Sequence, residues 1–194
     1  MDLYSYFDQF EKLQRWINDD LKKSLVSAHA NFLVALGLIN YIEVLGSFYY
    51  PGHDNGKGSK RFNFVLNDLF IKDYMEELNK LNKYCKSPYD CLRCGMAHEY
   101  LIKTESEKNT TTEIVFTIYG VDNEHEYLQS ILDYRTGLIV QEVQNKVHIK
   151  IINSRFIHDL NQAFEEYKER LLENSSEFSN KFIQRCSEIH IEKL

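Results

Sequence analysis

The chain reads as a mainly α-helical bundle with a small antiparallel β-sheet or hairpin inserted before its C-terminal helices, and three observations carry that expectation. Only two prolines and eight glycines interrupt 194 residues, which leaves room for long helices. Apolar residues recur at the spacing of one helix face over most of the length. Between Thr111 and Asn153 the period changes to two, the alternation of a pleated strand. With 43% hydrophobic residues the chain can bury a real core, and no repeat, low-complexity tract or Pro/Gly/Ser-rich linker divides it. A single domain over residues 1–194 follows, with the β insertion at about 111–153.

Taken in order, Asp2 to about Lys23 carries Leu3, Phe7, Phe10, Leu13, Trp16, Ile17 and Leu21 on one side and reads as an amphipathic helix. Ser24 to Tyr50 reads as one strongly apolar helix that includes His29, expected there as a core or groove residue. Asn31, Asn40, Glu43 and Ser47 fall within or beside the span of about 20 residues that a membrane crossing needs, so a central buried helix is expected and no membrane contact. Pro51-Gly52 ends it.

The loop Gly52-His53-Asp54-Asn55-Gly56-Lys57-Gly58-Ser59 fails as a phosphate-binding P-loop. It has three residues instead of four before Gly-Lys, Gly58 in place of Ser or Thr, and a helix in front where a strand is needed. Lys57, Lys60 and Arg61 cluster near its end, a basic group able to touch an RNA backbone, against the plainer reading of a solvated loop. Helices are expected over Lys60–Phe70 and Ile71–Tyr84. After the opening Ser87-Pro88 another runs from about Tyr89 to Ile102. Strands are expected around Ile114–Ile118, Leu128–Tyr134, Gly137–Val140 and Val147–Ile151, then helices over Arg155–Leu172 and Ser176 to about Ile189.

One segment looks built for chemistry: Leu92-Arg93-Cys94-Gly95-Met96-Ala97-His98-Glu99-Tyr100. Arginine offers a planar fork of donors suited to phosphate oxygens, and histidine exchanges protons near neutrality. Together they suggest metal-free work on a phosphodiester. On a straight helix Arg93 and Tyr100, seven apart, share a face, while His98 lies about 140° round from Arg93. For guanidinium and imidazole to cooperate, the arginine must reach across, the helix must deform near Gly95, or a second copy of the chain must supply the complementary group across a two-fold axis.

Arg93, His98 and Tyr100 match the R-x4-H-x-Y signature of HEPN-domain proteins, and in this one motif the chain resembles the HEPN toxins paired with minimal nucleotidyltransferases. The resemblance implies an up-and-down helical bundle that dimerises to bring two motifs together, acting as a metal-independent endoribonuclease in a toxin–antitoxin or phage-defence system, with RNA as substrate. His98 would act as general base on a ribose 2′-hydroxyl or as acid on the leaving oxygen, and Arg93 would stabilise charge on phosphorus, leaving a 2′,3′-cyclic phosphate. Tyr100 matches the tyrosine that receives AMP from a partner nucleotidyltransferase antitoxin in that branch. The chain departs from the pattern in having Cys94 directly after the arginine, where a polar residue is usual. A non-catalytic HEPN-like module that binds nucleotide, RNA or protein therefore stands as the other reading.

Composition narrows the field further. A net charge of −6 argues against broad, salt-driven coating of nucleic acid, so any RNA contact must be local. Aromatic residues, 13% of the chain, are expected in core and interface. Cys85, Cys91, Cys94 and His98 form C-x5-C-x2-C-x3-H, yet structural zinc sites usually draw ligand pairs from turns or hairpins, so buried reduced thiols are expected and no metal or other cofactor. The start, Met1-Asp2-Leu3-Tyr4, lacks a basic region followed by an apolar stretch, and a cytoplasmic location is expected.

Overall fold

The computed structural model describes residues 3–52, 56–94, 96, 113–144, 146–173 and 176–189, and the expected mainly α architecture is what it shows. Helix α1 (Leu3–Val26) buries Tyr6, Phe10, Ile17, Leu21 and Leu25, a stripe at helical spacing. Gln14 lies in the same stripe and reaches Glu165 Oε1 at 2.7 Å, which satisfies its buried amide. Trp16, expected on the apolar side, is instead 65% exposed.

The expected long helix over 24–50 is broken. Residues 27–30 form a connection in which His29 adopts a φ of +50°, and α2 starts only at Asn31, ending at Ser47. His29 is thus an exposed linker residue with its Nδ1 3.9 Å from Asp122 Oδ1, and not a core group. The break folds α2 back against α1, burying Val34, Ala35, Leu38, Ile39, Ile42 and Leu45. Among the described residues no helix is long and apolar enough to cross a membrane.

Helix α3 (Lys57–Phe64) continues into a π turn at Val65–Leu69, and α4 (Lys72–Leu81) follows a kink at Phe70 and Ile71. Gly46 on α2 is needed for α3 to approach: a Cβ there would sit 2.3 Å from the Arg61 carbonyl oxygen. The next helical segment opens on a cap. Ser87 Oγ accepts from the Asp90 backbone N–H at 3.1 Å and donates to the Asp90 carboxylate at 2.7 Å, with Pro88 in the first turn. That segment winds as a π turn over Asp90–Cys94.

Three strands form the insertion: β1 (Glu113–Tyr119), β2 (Leu138–Val143) and β3 (Lys146–Ile152), in the order β1-β3-β2. The sheet is mixed where a purely antiparallel one was expected. β3 pairs antiparallel with β2, but parallel with β1, Ile114 opposite Val147 and Ile118 opposite Ile151. A parallel pair needs a crossover, and part of it is α5 (Glu124–Asp133), which replaces the strand expected over Leu128–Tyr134. Its start explains the difference: Asn123 Oδ1 accepts from the Glu126 N–H at 3.0 Å, while Glu126 reaches back to the Asp122 N–H at 3.0 Å. One face of the sheet, with Ile114, Val147, Ile149, Ile151, Leu138 and Val140, is buried.

The chain passes directly from β3 into α6 (Asn153–Glu173), followed by α7 (Ser176–Glu188). These helices close the core around Phe10, Phe48, Phe164, Tyr167 and Phe182, whose rings meet in edge and tilted contacts with centroids 4.8–6.5 Å apart.

Candidate functional site

Helix α2 is apolar on nearly every side except along one stripe, where Asn40, Glu43 and Ser47 follow one another at helical spacing. That stripe floors a cleft of about 180 Å³ whose remaining described lining is Val44, Arg61 from α3, Arg93 from the π turn after Ser87 and Arg185 from α7. Three guanidinium groups from three separate elements thus face one carboxylate on a fourth. The cleft is where the fold gathers positive charge in a confined space.

Arg93 is the least constrained of the three by described partners. Its Nε lies 3.6 Å from Glu43 Oε2, too far for a hydrogen bond, and is buried without one. Its side chain as a whole is 30% exposed and lines the cleft, so it is partly desolvated there. The same Glu43 oxygen, Oε2, also accepts from the Tyr89 hydroxyl at 3.3 Å.

Arg185 is more firmly seated. Its Nε donates to Ser47 Oγ at 2.8 Å, and its Nη1 lies 3.3 Å from Glu188 Oε2. Glu188 also accepts from the Gly52 N–H at 2.9 Å and from Gln184 at 2.9 Å. Burial alone would raise the Glu188 carboxyl pKa; the Gly52 N–H, Gln184 and Arg185 outweigh that and hold it below the ordinary value.

The basic cluster expected to meet RNA divides by position. Arg61 lines the cleft, with its Nε donating to the Tyr50 carbonyl at 2.9 Å and a further bond from its Nη2 to the Gly52 carbonyl. Lys57 donates to the Pro51 carbonyl at 2.8 Å, so both side chains pin the turn that ends α2. Lys60 is exposed.

His98 and Tyr100 lie outside the described residues, as do Gly95 and the side chain of Cys94. Met96 is buried. The π turn at Asp90–Cys94 is nevertheless informative, because its wider winding changes the angular phase just before Gly95. Arg93 itself thus sits in wider winding than the 3.6-residue helix on which its face is drawn.

Of the expected thiols, Cys85 and Cys91 hydrogen-bond to each other. This bond lowers the Cys85 thiol pKa, and the bond together with burial pushes Cys91 up. Among the described residues no three His, Cys, Asp or Glu side chains are placed to hold a metal ion.

Arg185 and Glu43 were not singled out as site residues from the sequence. A signal for Glu43 existed: Asn40, Glu43 and Ser47 share one stripe of an otherwise apolar helix, a pattern that marks a buried polar cleft as well as it argues against a membrane. Arg185 is remote in sequence from every other member, and no local pattern marks it. Comparison of the chain with protein-family models, with curated proteins and with solved structures returns no match.

Proposed function

We propose that the chain is a metal-independent endoribonuclease of the HEPN type, serving a defence or toxin–antitoxin system, and that the Arg93 cleft receives the RNA backbone. The observation that supports this reading is the Arg93 guanidinium, partly desolvated, with a buried Nε lacking a hydrogen bond, in a cleft shared with Arg61 and Arg185. Such donors strengthen as negative charge builds on phosphorus in the transition state. In this reading His98 takes the 2′-hydroxyl proton or protonates the leaving oxygen, and the product is a 2′,3′-cyclic phosphate. A homodimer brings two motifs together, and AMP placed on the motif tyrosine Tyr100 by a partner nucleotidyltransferase would add an anion that competes with RNA for the motif's cation.

A second reading, a binding module without nuclease chemistry, is favoured by one feature. Glu43 is the only carboxylate among the described lining residues, and Arg93 and Tyr89 already engage it. Cleavage of labelled RNA in EDTA separates the two. The nuclease reading expects activity in the wild type that falls with Arg93→Ala and with His98→Ala, and a solution mass of two chains. Activity surviving both substitutions, or lost to the chelator, overturns it; RNA binding without cleavage establishes the module.

A further inference from the structure

We propose that Glu43 shifts the preference of the Arg93 cleft toward a singly charged phosphodiester and away from a doubly charged terminal phosphate. The inference rests on the reading that the cleft takes a phosphodiester, and it adds which kind of phosphate is penalised there and by which residue. Arg93 Nε sits 3.6 Å from Glu43 Oε2, so an oxyanion that takes up Arg93 comes within a few ångströms of a fixed carboxylate. Glu43 is not free to swing clear. It stands on the central helix α2, its side chain is 25% exposed, and the Tyr89 hydroxyl holds it at 3.3 Å.

A doubly charged ligand feels both the guanidinium groups and Glu43 more strongly than a singly charged one, so the charge on Glu43 costs it more. An internal phosphodiester carries one negative charge, whereas a phosphomonoester carries about 1.5 to 2 near neutrality. In a half-buried cleft, salt screens the carboxylate poorly and each added charge feels it strongly. Arg185 offers little extra attraction in return, since Glu188 already lies 3.3 Å from its Nη1. Glu43 therefore reduces the advantage that phosphorylated ends would otherwise draw from Arg93 and Arg61, in the sense an endonucleolytic cut requires.

The test is a pair of titrations by calorimetry at pH 8 and constant ionic strength. One ligand is a deoxydinucleoside monophosphate, a diester with no 2′-hydroxyl and so not cleavable by 2′-attack; the other is the corresponding deoxynucleoside 5′-monophosphate. Wild type and Glu43→Gln are compared, with Glu43→Ala as a second variant should the first fail to fold. Removing the carboxylate is expected to strengthen monoester binding at least about tenfold more than diester binding. An equal change in both ligands, a weakened monoester, or no binding of either ligand to any of the proteins overturns the proposal. RNA cleavage measured on the same preparations keeps the two ideas apart: the differential without cleavage sinks only the nuclease, and cleavage without the differential sinks only the selectivity.

Discussion

Two of the molecule's arginine–carboxylate pairs have opposite character, Arg155–Asp159 within α6 and Arg93–Glu43 in the cleft. In the first, Asp159 is 3% exposed and accepts from Arg155 Nε at 3.0 Å and from the Tyr74 hydroxyl at 2.7 Å, while its other oxygen lies 2.9 Å from Arg155 Nη2 without hydrogen-bond alignment. Tyr74 in turn accepts from the Gly137 N–H at 2.7 Å, and Arg155 donates to the Ile131 carbonyl. These contacts tie α4, α5 and α6 to the start of β2. In the second, Arg93 Nε lies 3.6 Å from Glu43 Oε2 between side chains that are 30% and 25% exposed, and the Tyr89 hydroxyl donates to that oxygen at 3.3 Å. A closed network has its donors committed to the fold; in the loose pair Arg93 Nε is left without a hydrogen-bond acceptor.

The largest effect is expected where the network is closed. Asp159→Ala strips both Arg155 and Tyr74 of their buried acceptor and is expected to cost about 3–5 kcal/mol in urea unfolding. A loss under about 1 kcal/mol would erase the contrast between the pairs. Arg93→Ala reverses the pattern. Its stability change is expected below about 1 kcal/mol because the pair is partly exposed and its 3.6 Å separation is too long for a hydrogen bond, while RNA cleavage is expected to fall by about 10²–10³-fold.

Gly46→Ala tests how the cleft is assembled. The new Cβ would meet the Arg61 carbonyl at 2.3 Å, so α3 must shift. We expect a loss of about 1–3 kcal/mol, accompanied by weaker RNA binding as Arg61 is displaced.

The pH dependence sharpens the comparison from the closed side. Burial raises the Asp159 carboxyl pKa, and the bonds from Arg155 and Tyr74 only partly offset it. A carboxyl raised in the folded state favours folding most below its ordinary value of 3.8, and that contribution is lost as pH rises through the folded pKa. The stability difference between wild type and Asp159→Asn should therefore shrink from pH 4 upward and then level off. Urea midpoints measured from pH 4 to 7 show whether it does. Glu188, held low, works in the opposite sense: its contribution is present above the ordinary carboxylate value and is lost on acidification. The smallest effect is expected at exposed Lys60, where Lys60→Ala changes stability by less than about 0.5 kcal/mol and lowers the salt slope of RNA binding by about one.

Much of the fold was legible because helix and strand periods are local. The apolar stripes of α1 and α6, the Ser87-Pro88 opening and the alternation in β1 and β3 all stand where the pattern put them. The misses have local causes too. The turn at 27–30 carries no proline or glycine, its left-handed residue being His29, so nothing marked the boundary there rather than at the expected Lys23–Ser24. Asn123 and Glu126 cap α5, but the short apolar run after them fits a strand as well as a helix. The π turns of Val65–Leu69 and Asp90–Cys94 leave no mark on a period of 3.6.

By itself the sequence determined the helical content, the buried central helix and the choice of Arg93 as a residue to watch, since periodicity and residue chemistry are properties of neighbours along the chain. Only the tertiary structure brought Arg93, Arg61 and Arg185 to the polar stripe of α2 and set Glu43 among them. That convergence depends on the close approach at Gly46, the winding of a π turn and the seating of the last helix, and each is decided by packing between segments remote in sequence.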